Sequence, residues 1–113
     1  MCLVAMALDQ SSRFPFVLAA NRDEYMARPA ARLGWWEPEQ GGPPILGGRD
    51  LEAGGTWLGL TAAGRLGLVT NVRNPKDVDP DAPSRGLIVP QWLKGDTDMQ
   101  MLWPRLAMSG YNG

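Results

Sequence analysis

The chain has 113 residues, a hydrophobic fraction of 44%, a charged fraction of 20% and a formal net charge of -1. That balance fits one globular domain, or part of a larger one, able to bury about two-thirds of its unfolded surface, and it gives no electrostatic reason for nucleic acid or an anionic membrane as partner. There is no histidine and a single cysteine, Cys2, which excludes Ser-His-Asp and Cys-His nucleophile pairs, zinc sites of the usual Cys/His kinds and any internal disulfide.

Residues 2–9, CLVAMALD, form an apolar run of strand length, without the basic leader or the length of a signal peptide. QSSRFP reads as a polar turn closed by Pro15, and residues 16–22, FVLAANR, form a second run. Two such runs across a short turn predict a hairpin with both strands largely buried; a buried helix is the alternative for either run. Residues 24–55 are rich in glycine and proline, carry Trp35 and Trp36, and keep neither a helical nor a strand period. They read as a long ordered loop with at most a short strand at PILGG. TWLGL, the turn TAAG and RLGLVTNV predict a second hairpin, in which Gly59 and Gly67 imply close packing against another layer.

NPKDVDPDAP reads as a loop, after which Ser84 is placed to cap a helix over 85–94 that Pro90 could kink. Thr97 or Asp96 could cap a second helix over about 98–108, interrupted by Pro104. The elements mix as α+β, and the chain stops at SGYNG without a closing element, so a truncated fold is expected. No run approaches the roughly 20 apolar residues of a membrane span, and a lone thiol suits a reducing compartment, so the reading is cytoplasmic.

The position of Cys2 suggests chemistry. A free thiol has a pKa near 8.5 and needs a base to attack a carbonyl well at neutral pH. If Met1 is removed, Cys2 gains its own α-amine, with a pKa of about 7.7–8.0, tethered beside the sulfur. One residue then supplies nucleophile and base. A small hydrophobe buried in a strand is the competing interpretation of the same cysteine. The second apolar run ends in Asn21, Arg22, Asp23 and Glu24. A hairpin brings this end back to the chain start, where Asp23 could accept a hydrogen bond from the α-ammonium and Arg22 could favour the thiolate by its charge. A solvated strand end with an Arg-Asp pair is the alternative.

MCLVAMALD, LAANRDEYMARP, GGTWLGL, LVTNVR and SRGLIV, in this order and spacing, resemble the NRDE family, also called the transport and Golgi organization 2 family, over essentially the whole chain. The terminal YNG looks like the start of that family's next strand. The resemblance implies a single NRDE-type domain over 1–113, the N-terminal portion of a four-layer αββα sandwich of the N-terminal nucleophile hydrolase kind. It is similar to cysteine-type acylases that cleave linear amides. By that resemblance Cys2 is nucleophile and amine base, Arg22 and Asp23 are its neighbours, and Asn71 is an oxyanion donor through its side-chain amide. An Asn capping the turn before Pro75 is the alternative for Asn71. The activity implied is that of a cysteine amidohydrolase or acyltransferase on a small amide or acyl substrate. A non-catalytic carrier of heme or acyl lipids on the same fold is the other possibility.

No cofactor is expected, with heme only as a carried ligand, and the partner is a small molecule rather than nucleic acid. The sequence leaves the oligomeric state open. Trp35, Trp36 and Trp57 could line an apolar cleft, though burial in a core explains tryptophans as well. Arg73 and Arg85 could hold an anionic group, but read more simply as solvated surface. The glycine pairs at 41–42, 47–48 and 54–55 match no phosphate-binding pattern.

Overall fold

A computed structural model describes residues 1–71 and 79–111. Within them the chain is mixed α and β, with two antiparallel sheets and two α-helices. The first sheet is the predicted hairpin: β1 (Leu3–Leu8) pairs β2 (Phe16–Asn21), with Leu3 opposite Asn21 and Leu8 opposite Phe16. The Asp9 N–H closes the turn on the Pro15 carbonyl at 2.8 Å, and Asp9 itself adopts φ 52°. Asp tolerates this left-handed conformation better than most residues.

The expected burial of this hairpin is not observed. Leu3, Met6 and Leu8 are 68%, 62% and 65% exposed, and Phe16 and Val17 are also exposed. The physical reason is that β1 packs chiefly on β2, and a two-stranded ribbon cannot cover its own faces.

The second sheet has the order β3-β4-β5-β6, from β3 (Ala30–Trp36), β4 (Ile45–Asp50), β5 (Leu58–Leu60) and β6 (Leu66–Leu68). The 24–55 segment is therefore not a long loop: it supplies two strands of the main sheet, with a register shift between Ala31 and Gly34. Gly47 and Gly48 are residues of β4 at crowded positions. A Cβ on Gly48 would lie 2.5 Å from the Trp57 ring, so only glycine lets that indole lie across β4. The β5–β6 hairpin forms as predicted but is shorter, with its turn closed by Gly64 N–H on the Thr61 carbonyl at 2.9 Å. Asn71 lies past the end of β6 rather than on it. The rest of the predicted strand end, Val72, falls outside the described residues, as do Arg73 and the first half of the NPKDVDPDAP loop.

The helix predicted over 85–94 begins as a 3-10 turn, Arg85–Leu87, and continues as α1 (Ile88–Leu93). Ser84 takes the extended conformation of an N-cap but makes no side-chain capping bond. Pro90 stands in the first turn of α1, where no intrahelical partner waits for its missing N–H, so the helix accommodates it. The second helix, α2 (Met99–Met108), is capped by Asp98 rather than by Thr97 or Asp96: Oδ1 of Asp98 accepts the Met101 N–H at 2.9 Å.

The core lies between α1 and the second sheet. Ile45, Val89 and Leu93 are at most 2% exposed, with Trp36, Val69 and Trp92 packed around them. Gly59 and Gly67 mark the close approach expected of them. A Cβ on Gly59 would come within 2.8 Å of both Ile45 Cγ2 and Leu93 Cδ1, and one on Gly67 would meet Trp92 and Val89. On the other side of the sheet, Leu46, Leu58, Leu60 and Leu66 face Phe16 and Leu18 of the ribbon across a cavity of about 720 Å³. Among the described residues no helix is long and apolar enough to cross a membrane.

Candidate active site

The antiparallel register of β1 and β2 sets the site. Because Leu3 lies opposite Asn21, residues 1–2 and 22–23 are neighbours at one end of the ribbon. The terminal ammonium, carried here by Met1, pairs with Oδ2 of Asp23. The half-buried Cys2 thiol donates to Oδ1 of Asn71 at 3.1 Å, and its sulfur receives the Asp23 backbone N–H at 3.4 Å. The Asn71 NH2 donates to the Asp23 carbonyl at 3.1 Å. Cys2, Asp23 and Asn71 thus form one connected cluster, assembled from β1, the end of β2 and the segment after β6.

Two details depart from expectation. Asn71 presents its amide oxygen, not its NH2, to the sulfur, because the NH2 is committed to the Asp23 carbonyl. To act as an oxyanion donor it would have to turn its amide over. The Arg22 guanidinium is engaged away from Cys2: it stacks over the Trp57 ring at 4.5 Å and lies 3.7 Å from Glu24 and 3.9 Å from Asp50. An indole face and two carboxylates attract a guanidinium more strongly than a thiol does.

Asp50 organises the floor behind Arg22. Oδ2 accepts Nε and Nη2 of Arg28 at 3.0 and 2.7 Å, while Oδ1 accepts the backbone N–H groups of Glu52 and Ala53 at 3.0 and 3.5 Å. Burial pushes the Asp50 carboxyl pKa up, but these hydrogen bonds outweigh it and hold the group below its ordinary value. The same pairing raises the Arg28 pKa.

Arg85, read from the sequence as solvated surface, and Asn21, given no role of its own there, both take places at this site. Arg85 is half-buried rather than solvated. Burial lowers its pKa and outweighs the opposing electrostatic pull of Cys2 and the Glu24 carboxylate. Its position follows from docking of the 3-10 turn, where the Gly86 carbonyl accepts the Thr56 N–H at 3.0 Å. Asn21 holds the chain start: Oδ1 accepts the Leu3 N–H at 2.9 Å and Nδ2 donates to the Met1 carbonyl at 3.4 Å. Of the tryptophans expected to line a cleft, Trp57 lines the cavity, Trp36 packs on the core and Trp35 is exposed.

The family described as Transport and Golgi organisation 2 matches residues 1–112. The Transport and Golgi organization 2 homolog of Mus musculus is 36% identical over 122 aligned positions, covering 100% of this chain and 43% of that protein. The Homo sapiens homolog is 34% identical with the same coverage. The Drosophila melanogaster protein of that name is 32% identical over 82% of the chain and 35% of its own length. The chain therefore spans about 43% of the length of the mammalian relatives it matches.

Proposed function

The chain belongs to the Transport and Golgi organisation 2 family, and on that premise we propose that it is the N-terminal portion of a cysteine amidohydrolase or acyltransferase of the N-terminal nucleophile kind. The observation that carries this reading is the meeting of a chain-terminal ammonium, a thiol, a carboxylate and an amide at residues 1, 2, 23 and 71. On removal of Met1 the ammonium belongs to Cys2, and Asp23 receives it one residue further in. The deprotonated amine takes the thiol proton, the sulfur attacks an amide or acyl carbon, and the α-ammonium passes that proton to the leaving group as its bond to the carbonyl carbon breaks, giving a thioester that water or an acceptor resolves. Asn71 holds the sulfur, while Arg22, stacked on Trp57, borders the cavity rather than the thiol. The fold on this reading is one part of the αββα sandwich. The reducing cytoplasm would keep the thiol free.

Intact-mass measurement and an acylating thiol probe test this together. The expected result is a chain lacking Met1 whose Cys2 carries the acyl adduct, with Cys2→Ala unlabelled. A native chain that retains Met1 refutes the mechanism.

The cavity of about 720 Å³, whose wall combines six leucines, Phe16 and Trp57 with Arg22, Glu24, Arg28 and Arg32, favours a second reading: a carrier for a largely apolar ligand with an anionic group, such as heme or an acyl lipid. On that reading Cys2→Ala leaves an acyl ligand bound, or changes only a heme spectrum.

A further inference from the structure

We infer that Asn21 supplies the hydrogen-bond donor for the oxygen of an acyl group under attack by Cys2, an inference that rests on the N-terminal nucleophile reading above. Both ends of the Asn21 amide have fixed partners. Its oxygen accepts the Leu3 N–H at 2.9 Å, and this leaves the NH2 facing the opposite way, toward the Met1 carbonyl oxygen at 3.4 Å. The Met1–Cys2 peptide is an acyl group bonded directly to the Cys2 nitrogen. Its carbonyl stands in for the place a substrate carbonyl must occupy, because a carbon attacked by Sγ while the α-amine moves the proton has to lie beside both atoms of the same residue. With Met1 excised, the Asn21 NH2 is aimed at that place.

Asn71 does not compete for the role in the observed arrangement, since it turns its oxygen to the sulfur and its NH2 to the Asp23 carbonyl. The two asparagines divide the work, one holding the nucleophile and the other meeting the electrophile. As the C–S bond forms, the carbonyl π pair moves onto oxygen, and the Asn21 N–H stabilises the resulting oxyanion. Collapse then expels the leaving group and leaves a thioester.

The test uses the chain with Met1 removed, verified by mass, and p-nitrophenyl acetate as probe. Attack gives S-acetyl-Cys2 and p-nitrophenolate, whose burst reports the acylation step. Asn21→Ala removes both ends of the amide, whereas Asn21→Asp keeps an acceptor for the Leu3 N–H and removes the donor. Both variants are expected to lower the maximal acylation rate about 100-fold, with little change in half-saturation by the probe. Alkylation of Cys2 by iodoacetamide is expected to stay within about twofold, because displacement at a saturated carbon builds no oxyanion. Acylation at the parent rate in either variant overturns the inference. So does alkylation that falls in step with acylation, which would reduce Asn21 to a clamp on the strand end. A parent chain that lacks Met1 and still fails to acylate refutes the nucleophile reading itself.

Discussion

Asp50→Asn is the sharpest probe of the framework under Arg22. The wild-type carboxylate receives two bonds on each oxygen, from Arg28 on one and from two backbone amides on the other. Asparagine keeps the shape but has only one acceptor oxygen. If its NH2 faces Arg28, two charge-assisted bonds become donor-donor contacts. If it faces the loop, the amides of Glu52 and Ala53 lose their acceptor. Either way two bonds are lost at a residue only 6% exposed. At about 1–2 kcal/mol each, the cost is about 3 kcal/mol, a large share of a typical domain's stability. Urea unfolding of both chains between pH 7 and pH 2.5 measures it. Because the folded pKa of Asp50 is depressed, its contribution is complete above the unfolded carboxylate value of about 3.9 and is lost as pH falls through the lower folded value. The gap between wild type and variant is therefore expected to be widest at neutral pH and to close in acid. A gap that stays constant with pH, or no gap at pH 7, refutes this account.

Two further outcomes follow from the packing. Gly59→Ala places a methyl within 2.8 Å of Ile45 and Leu93, and is expected to destabilise by about 1–3 kcal/mol in urea melts. Asp98→Ala removes the side-chain cap of α2 and is expected to cost about 1 kcal/mol, seen as faster amide exchange in the first turn of that helix while the Ile45 and Leu93 amides are unchanged.

What was legible in the sequence was local. Both hairpins followed from apolar runs flanking short turns, and the proximity of Cys2 to Asp23 followed from the first of them. Strand β3 was missed and β4 was read only as a short strand at PILGG, because Gly47 and Gly48 look like breakers. Their reason for being glycine is Trp57 and the backbone of β5, which approach only once the sheet has formed. The direction of Arg22 was missed for the same cause, since its partner Trp57 lies far along the chain. Arg85 reads as a surface charge until the Gly86 carbonyl docks on Thr56 and half-buries it. Asn71 came from family resemblance alone, since nothing local places it beside the sulfur.

Among the described elements, β1 and β2 pack chiefly on each other. Polar contacts tie the ribbon to the rest of the fold, among them Cys2 to Asn71, Asn71 to Asp23, and Arg22 to Trp57 and Asp50. The candidate chemistry therefore sits on the mechanical joint of the protein. Anything that wedges into the gap between the two sheets meets Arg22 and Glu24 on its wall, and these flank Asp23, whose backbone N–H reaches the sulfur, so a tilt of the ribbon carries to the thiol. The reactivity of that one thiol would serve as a built-in gauge of whether the gap is filled.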